Sequence, residues 1–505
     1  MRHWSLPFQP ATGTLPIGPH SAPSQGRRTL PGMGVLIMLL ALLCALAPLR
    51  ELALVMSAGA TSFLLVRRPW LVWLPVAAFL PVAASYKVGP ASGADLLFAA
   101  GVALWFVNGA RRRTLRLHGG LVPALVLLWV GAQFLSTLAA QDFAEAAAEV
   151  IKWLELLVLL LLVPAMVPPG RALWVAAALV VGGVGQALLG LYQFYFQVGP
   201  DWFVLFDRYM RAYGSFGQPN PFAGYLGLTL PVALSMSLWA LGEWWRQDGE
   251  RQVALWWGSF FGVATLMITA GLLASWSRGA WVGAAAGLMV VVALRSRRTA
   301  AAVGVLLVAG LFAGLFGSFR PDLVPAPLAS RVADLPAYFG LADVLNQPVT
   351  DENFAVIERV AHWYAAGKMW ELSPWVGVGP GNYAITYPQV RLPRWEEPLG
   401  HAHNIYLNVL AETGLVGLLF FLLFWLVSLG WIWRTAHGCG SDRRASALAL
   451  GVLGIFVHAT VHHLFDNLFV QGMVLHLGMW LAITVLISRQ SKLWTGTMTG
   501  IDEEI

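Results

Sequence analysis

The chain has 505 residues, of which 58% are hydrophobic and only 11% charged, with 24 Trp and a formal net charge of +6. So apolar a composition excludes a water-soluble globule and a disordered chain, and defines a polytopic membrane protein. The positive excess, which in a soluble protein would point to nucleic acid, fits basic loops facing anionic lipid.

Only two cysteines occur, Cys44 in an apolar run and Cys439 in a basic loop, so no disulfide framework is expected. Runs such as Leu156 to Val163 do not alternate as barrel strands do. Helices satisfy their own backbone hydrogen bonds in lipid, and the predicted fold is therefore all-α.

In chain order, residues 1–30 are rich in Pro, Gly and Ser and are expected to form a flexible cytoplasmic tail. The apolar run that begins near Gly32 is expected to be a retained first helix rather than a signal peptide. About fourteen transmembrane helices follow from windows of roughly twenty apolar residues. They lie near 32–49, 51–66, 69–86, 92–109, 121–139, 146–167, 171–197, 219–241, 253–275, 279–296, 299–318, 404–433, 444–464 and 466–488. The chain thus divides into eleven helices over 31–318, a long loop over 319–403, three helices over 404–488 and a tail over 489–505.

With the N-terminus inside, the cytoplasmic segments collect most of the basic residues, among them Arg67, Arg68, Arg111 to Arg113, Arg295, Arg297, Arg298, Arg443 and Arg444. The short outer connections hold only Arg50, Lys87, Arg208, Arg211 and Arg278. The positive-inside rule then predicts an even number of spans, both termini cytoplasmic and an extracytoplasmic 319–403 loop.

That loop is expected to be partly helical. From Asp351 to Met369, Phe354, Ile357, Val360, Ala361 and Tyr364 recur at helical spacing, giving an amphipathic helix over a cavity or on the membrane face. Pro374 to Tyr383 contains Gly377, Gly379 and Gly381 but lacks the Lys and following helix of a phosphate-binding loop, so a turn is expected there.

Three polar sets face outward in this topology. Asp207 to Pro221 carries Arg208, Arg211 and Asn220 into a Pro-started helix; Ser275 to Gly279 places Arg278 in a tight break; and Gly400 to Glu412 carries His401 and His403. In a helix from residue 404, Asn404, Asn408 and Glu412 share one face and form a polar seam. Each set also has an ordinary reading: snorkelling for Arg278, loop ion pairs for Arg208 and Arg211, hydrogen-bonded packing for the histidines. Together they place scarce outer cations beside a titratable base, as an anionic headgroup requires. Glu149, Lys152 and Glu155 are expected to form a structural ion network in the sixth span. Of His458, His462, His463 and Asp466, the aspartate and one histidine are expected to brace the same outer cavity; the spacing matches no standard zinc motif.

The ordered series Arg211 with Gly214 to Asn220, Ser277-Arg278-Gly279, Arg359 with Pro374 to Tyr383, and His401 to Leu407 with Glu412 to Gly417 resembles the O-antigen ligase and O-antigen polymerase superfamily over residues 200–430. The resemblance implies a glycosyltransferase at the outer face of the cytoplasmic membrane. Such an enzyme transfers a glycan from undecaprenyl diphosphate to an acceptor hydroxyl on a glycolipid, glycan or protein, with no metal and no cofactor. Carried onto this chain, it makes His403 the first choice of base with His401 in reserve, and Arg211 and Arg278 the diphosphate clamps with Arg208 and Arg359 beside them. Asn404, Asn220, Asn408, Glu412 and Asp466 would support the site. About two spans more than the twelve typical of the ligases are expected here. Polymerases and protein O-oligosaccharyltransferases of the same superfamily differ in acceptor, and an anion transporter of the bicarbonate type is the rival from another class.

Overall fold

A computed structural model describes residues 65–88, 91–205, 208–246, 251–319, 348–349, 353–440 and 442–490. The predicted N-terminal tail, span 32–49, nearly all of span 51–66, the loop segment 320–347 and residues 491–505 of the predicted C-terminal tail lie outside the described residues. The described residues form one compact, almost entirely helical unit.

The helices are α1 (Trp73–Ala83), α2 (Gly93–Arg112), α3 (Leu121–Ser136), α4 (Phe143–Met166), α5 (Ala172–Phe196), α6 (Pro219–Gly227), α7 (Leu230–Arg246), α8 (Arg251–Ala274), α9 (Arg278–Ala293) and α10 (Arg297–Phe319). After the loop come α11 (Phe354–Leu372), α12 (Tyr383–Val390), α13 (Ile405–Gly438), α14 (Arg443–His462) and α15 (Met473–Gln490). Two short antiparallel pairs, Lys87–Val88 with Ala91–Ser92 and Val204–Leu205 with Tyr209–Met210, close loops between helices.

Among the described residues, eight helical segments are long and apolar enough to cross a membrane: Gly93–Arg112, Leu121–Ala139, Pro169–Phe196, Pro219–Arg246, Arg251–Ala274, Ile405–Gly438, Arg443–His462 and Met473–Gln490. Pro69–Val82 and Arg278–Ala293 are apolar but shorter. The protein is an integral membrane protein, with eight such segments described where about fourteen were expected. Two expected spans change form. The span 219–241 is broken between α6 and α7 at Leu228–Thr229, just before Pro231, which cannot donate into the preceding turn. The span 466–488 becomes a turn over its first residues, and α15 starts only at Met473, because Gln471 and Gly472 both adopt positive φ. The sixth span does form α4, with Asp142 capping it through the amides of Ala144 and Glu145.

Packing follows two devices. Around α3, α4 and α13, edge-to-face aromatics fill the core, with Trp129 and Trp153 at 5.6 Å and Trp153 and Phe469 at 5.0 Å. Where α9 crosses α14, glycines let the backbones touch: a Cβ on Gly287 would stand 2.4 Å from the Gly454 carbonyl oxygen.

The expected amphipathic helix is α11, with its phase shifted. The buried stripe is Val356, Ile357, Ala361, His362, Ala365, Ala366 and Met369, whereas Phe354 and Tyr364 are exposed. The helix rests on α13, so small residues line its inner face and the large aromatics turn outward.

α13 is one 34-residue helix broken at Gly414, whose φ of 63° and ψ of −165° are open only to glycine. The 374–379 segment docks into that break: Leu415 N donates to Pro374 O and Val416 N to Trp375 O, while Val378 N donates to Ala411 O and Gly379 N to Glu412 O. The expected turn at these glycines is therefore also a plug. Gly414→Ala is expected to cost about 1–3 kcal/mol from backbone strain alone, and more from the new Cβ lying 2.3 Å from the Trp375 carbonyl carbon. Gly430→Ala, in the same helix with open space around it, should be neutral or stabilising by up to about 1 kcal/mol. Thermal melts of the two variants in detergent would separate the break from ordinary helix propensity.

Candidate active site

A cavity of about 440 Å³ opens at the end of the helical bundle where α6, α9 and α11 meet the 399–403 and 465–466 segments. It brings together Arg211, Asn220, Arg278, Arg359, His401, His403 and Asp466, residues drawn from all three polar sets, from α11 and from the turn after α14.

Each cation is placed by a distinct piece of backbone. Arg211 donates from Nε to Ser275 O at 2.9 Å and from its terminal nitrogen to Asn220 Oδ1 at 3.1 Å, which ties the first polar set to the second. Its loop is pinned by two buried glutamines of α5: Gln193 Oε1 accepts from the amides of Tyr213 and Gly214, and Gln186 Oε1 from that of Ser215. Arg278 is the first residue of α9, and no described side chain caps that helix. Arg359 on α11 donates to Ala355 O within its own helix. Arg208 stands outside the lining, its guanidinium 5.2 Å from the Tyr209 ring centre.

The histidines meet at Asp466. His401 Nδ1 accepts the His403 amide at 3.1 Å, so its proton is on Nε2, which faces Asp466 Oδ1 at 3.8 Å. His403 Nδ1 donates to the same oxygen at 3.3 Å. That tautomer leaves His403 Nε2 with a bare lone pair, and this atom has no hydrogen-bond partner among the described residues. Burial alone would raise the Asp466 carboxyl, but the hydrogen bond it accepts from the His403 ring, aided by the neighbouring His401 and His462, holds it well below the usual carboxylate range. Burial, and secondarily the neighbouring His403, lowers His401 to about 4, so its imidazole is neutral near pH 7. One ligand atom from each of His401, His403 and Asp466 lies within 4.8 Å of the others, so this is also the described cluster that can hold a metal ion.

The polar seam of α13 serves the backbone. Asn404 caps the helix by accepting from the amides of Tyr406 and Leu407. Asn408 Oδ1 accepts from Ala402 N at 3.0 Å, and Glu412 Oε1 from Tyr383 N at 3.2 Å. Asn408 and Glu412 line a second, smaller cavity of about 140 Å³ that shares His401 with the first. Lys152 pairs with Glu149 at 2.6 Å and also donates to Phe469 O; this pair does not include Glu155. His462 lines the larger cavity, whereas His458 is buried against Gly224 O.

Sequence reasoning missed Gln186, Gln193, Trp276 and Glu358. Two glutamines seven apart in an apolar span were a readable signal; a tryptophan and a glutamate beside arginines already singled out were not.

Residues 262–422 match the family model described as O-antigen ligase. No curated protein matches the chain. The match bears out the superfamily resemblance and supports, at family level, glycan transfer of the O-antigen-ligase kind, with lipid-linked glycan and acceptor partners in general. It spans Arg278, Arg359, His401 and His403 and ends before Asp466.

His362, stacked on Tyr387 and edge-on to His403, is lowered to about 4 by burial first and then by His403 and His401. In the unfolded chain both His362 and His401 take up a proton near their ordinary value of 6.5, and in the folded protein only near 4. Their contribution to stability is therefore complete above pH 6.5 and lost as the pH falls to 4. The Glu358 carboxyl, raised by burial, works in the opposite sense as the pH rises. Thermal melts across this window should show a smaller loss on acidification for His362→Gln than for the wild type.

Proposed function

We propose that this chain transfers a glycan from undecaprenyl diphosphate to an acceptor hydroxyl at the extracytoplasmic face of the cytoplasmic membrane, with His403 as general base. The carrying observation is the His403 imidazole, held at Nδ1 by Asp466 and without a hydrogen-bond partner at Nε2 among the described residues, in one cavity with Arg211 and Arg278.

A sugar hydroxyl is a poor nucleophile until its proton is removed. His403 Nε2 takes that proton as the acceptor oxygen bonds to the anomeric carbon, a contribution of about 10²- to 10⁴-fold. Asp466 stabilises the imidazolium that results and fixes its tautomer. As the carbon–oxygen bond to the diphosphate breaks, negative charge grows on the leaving group. Arg211 and Arg278 meet it, with Arg359 at the α11 side, because guanidinium grips phosphate oxygens bidentately and stays protonated. The start of α9 on the same wall adds a helix N-terminus, whose amides and dipole favour an anion, whereas α6 begins Pro219-Asn220-Pro221 and offers few amides. Arg208, over the Tyr209 ring, acts at most from outside this clamp. A single displacement inverts the anomeric carbon, and the proton leaves His403 with product. The reaction uses no cofactor or metal. Asn220 holds Arg211, while Asn404, Asn408 and Glu412 hold the loop that carries the histidines.

The asymmetry of basic residues supports cytoplasmic termini and an outward-facing cavity. Ligase, polymerase and protein O-oligosaccharyltransferase share this chemistry and differ in the acceptor.

With purified protein, an undecaprenyl-diphosphate-linked oligosaccharide and a glycolipid acceptor, His403→Ala should lower turnover about 10²- to 10⁴-fold, and Asp466→Asn and Arg278→Ala each about tenfold to a hundredfold through loss of a charged hydrogen bond. EDTA should leave the wild-type rate unchanged; an EDTA-sensitive rate restored by a divalent cation would turn His401, His403 and Asp466 into metal ligands. A wild type that consumes no donor with any acceptor but moves a small anion across liposomes would overturn the transfer reading.

A further inference from the structure

Two carboxylates line the cavity, and the transfer chemistry uses only one. Asp466 is committed to the two histidines. Glu358 lies on α11, one turn after Ala355 and next to Arg359, and all three line the cavity. Among the described residues, no hydrogen bond or ion pair holds its carboxylate; it feels the charges of His403 and Arg359. One turn further along the same face, His362 meets the His403 ring edge-on with centres 5.7 Å apart. Glu358 is therefore on the side of α11 turned toward the base.

A carboxylate has no use at the diphosphate, where like charge repels. It has two acceptor oxygens and no donor, a fork that suits two adjacent hydroxyls of a sugar ring. Hydroxyls next to the base belong to the acceptor, because the arginines and the start of α9 take the donor's anionic end. We propose that Glu358 is an acceptor-binding residue that accepts hydrogen bonds from ring hydroxyls adjoining the attacking one, so that the acceptor is a sugar rather than a Ser or Thr side chain. The inference rests on the transfer reading and adds the substrate class. Glu358 takes no proton in the reaction; it fixes the distance between the attacking oxygen and His403 Nε2, where a small misplacement costs rate.

The test uses the full chain with an undecaprenyl-diphosphate-linked oligosaccharide as donor and, as acceptors, a hexose-terminated glycolipid, its monodeoxy analogues and a Ser-containing peptide. Glu358→Ala should raise the KM for the glycolipid about tenfold to a hundredfold, the worth of a hydrogen bond to a charged group. Glu358→Gln, which keeps one acceptor oxygen, should fall between it and the wild type. Donor KM should stay within about twofold, since the site's cations are untouched. Removing the hydroxyl that Glu358 holds should penalise the wild type and leave Glu358→Ala indifferent, the non-additivity of two groups in contact. An unchanged acceptor KM with reduced kcat, a raised donor KM, or a wild type that prefers the peptide would each overturn the assignment. Failure of the underlying transfer reading is distinct: the wild type would then consume no donor at all.

Discussion

The site depends on a break in a membrane helix. At Gly414 the backbone of α13 leaves the helical region, and a helix interrupted inside a bilayer exposes amides and carbonyls that lipid cannot satisfy, at several kcal/mol each. Here two amides and two carbonyls at the break find partners in the 374–379 segment: the amides of Leu415 and Val416 go to Pro374 O and Trp375 O, and the carbonyls of Ala411 and Glu412 take the amides of Val378 and Gly379. Ser136 of α3 adds its hydroxyl to Glu412 O. Such close backbone approach needs glycine on both sides. A Cβ on Gly377 would fall 2.2 Å from the Glu412 carbonyl carbon. The plug therefore locks α3, α13 and the loop to one another, and everything the loop carries inherits that position.

From the break the constraint runs to the chemistry in two steps. The first half of α13, from Ile405 to Thr413, is short and stiff, and its start is fixed by Asn404 and by Ile405 N donating to His463 O. That second bond joins the histidine loop to the end of α14, three residues before Asp466. The dyad of His403 and Asp466, 63 residues apart in sequence, is thus aligned by backbone bonds on both sides of it. A carboxylate this deep is costly unless hydrogen-bond donors are held around it, because they must offset its lost hydration. Asp466 oriented by two imidazoles and by its own hydrogen bond from Asn467 N meets that condition.

Much of this was legible in the residues. Composition defined the membrane class, the order of motifs singled out Arg211, Arg278, His401 and His403, and the polar cluster after the penultimate span singled out Asp466; the fold gathers all five into one cavity. What escaped is what hydropathy cannot register. The windows at 219–241 and 466–488 are apolar on average despite Asn220, Asp466, Asn467 and Gln471, so a window average runs through the break before Pro231 and the positive φ at Gln471 and Gly472. Gly414 sits within an apolar helical pattern, where a glycine is merely tolerated, and only its partner 37 residues earlier, Gly377, reveals its purpose. Spacing gave the helix of α11 but not its phase, since the neighbour it covers, α13, is remote in sequence. Glu358 carried no motif at all; only the cavity distinguishes it from any other surface glutamate.

The three helices that begin at the cavity share a device that explains how base and clamps are kept apart. α6, α9 and α13 start at the caps Gln218, Ser277 and Asn404, and the residue before each cap lies in the left-handed region: Gly217 at φ 68°, Trp276 at 55° and His403 at 51°. For glycine this conformation is free, whereas for tryptophan and histidine it costs about 1–3 kcal/mol and persists only where the surroundings enforce it. Trp276 is held between Tyr209 and Trp281, and His403 by Asp466 and His401. Each reversal lets the chain enter the wall of the cavity and leave as a helix. The caps then divide the labour. Asn404 satisfies the first amides of α13 with its own side chain, so that terminus has little left to offer an anion and instead carries the His403 imidazole just before it. No described side chain caps α9, and its dipole, backed by Arg211 and Arg278, remains turned toward a ligand; in α6 Pro219 and Pro221 remove first-turn amides instead. A base placed among those cations would be harder to protonate and would bind phosphate itself; the capped third terminus keeps His403 beside the anion site yet paired to a carboxylate.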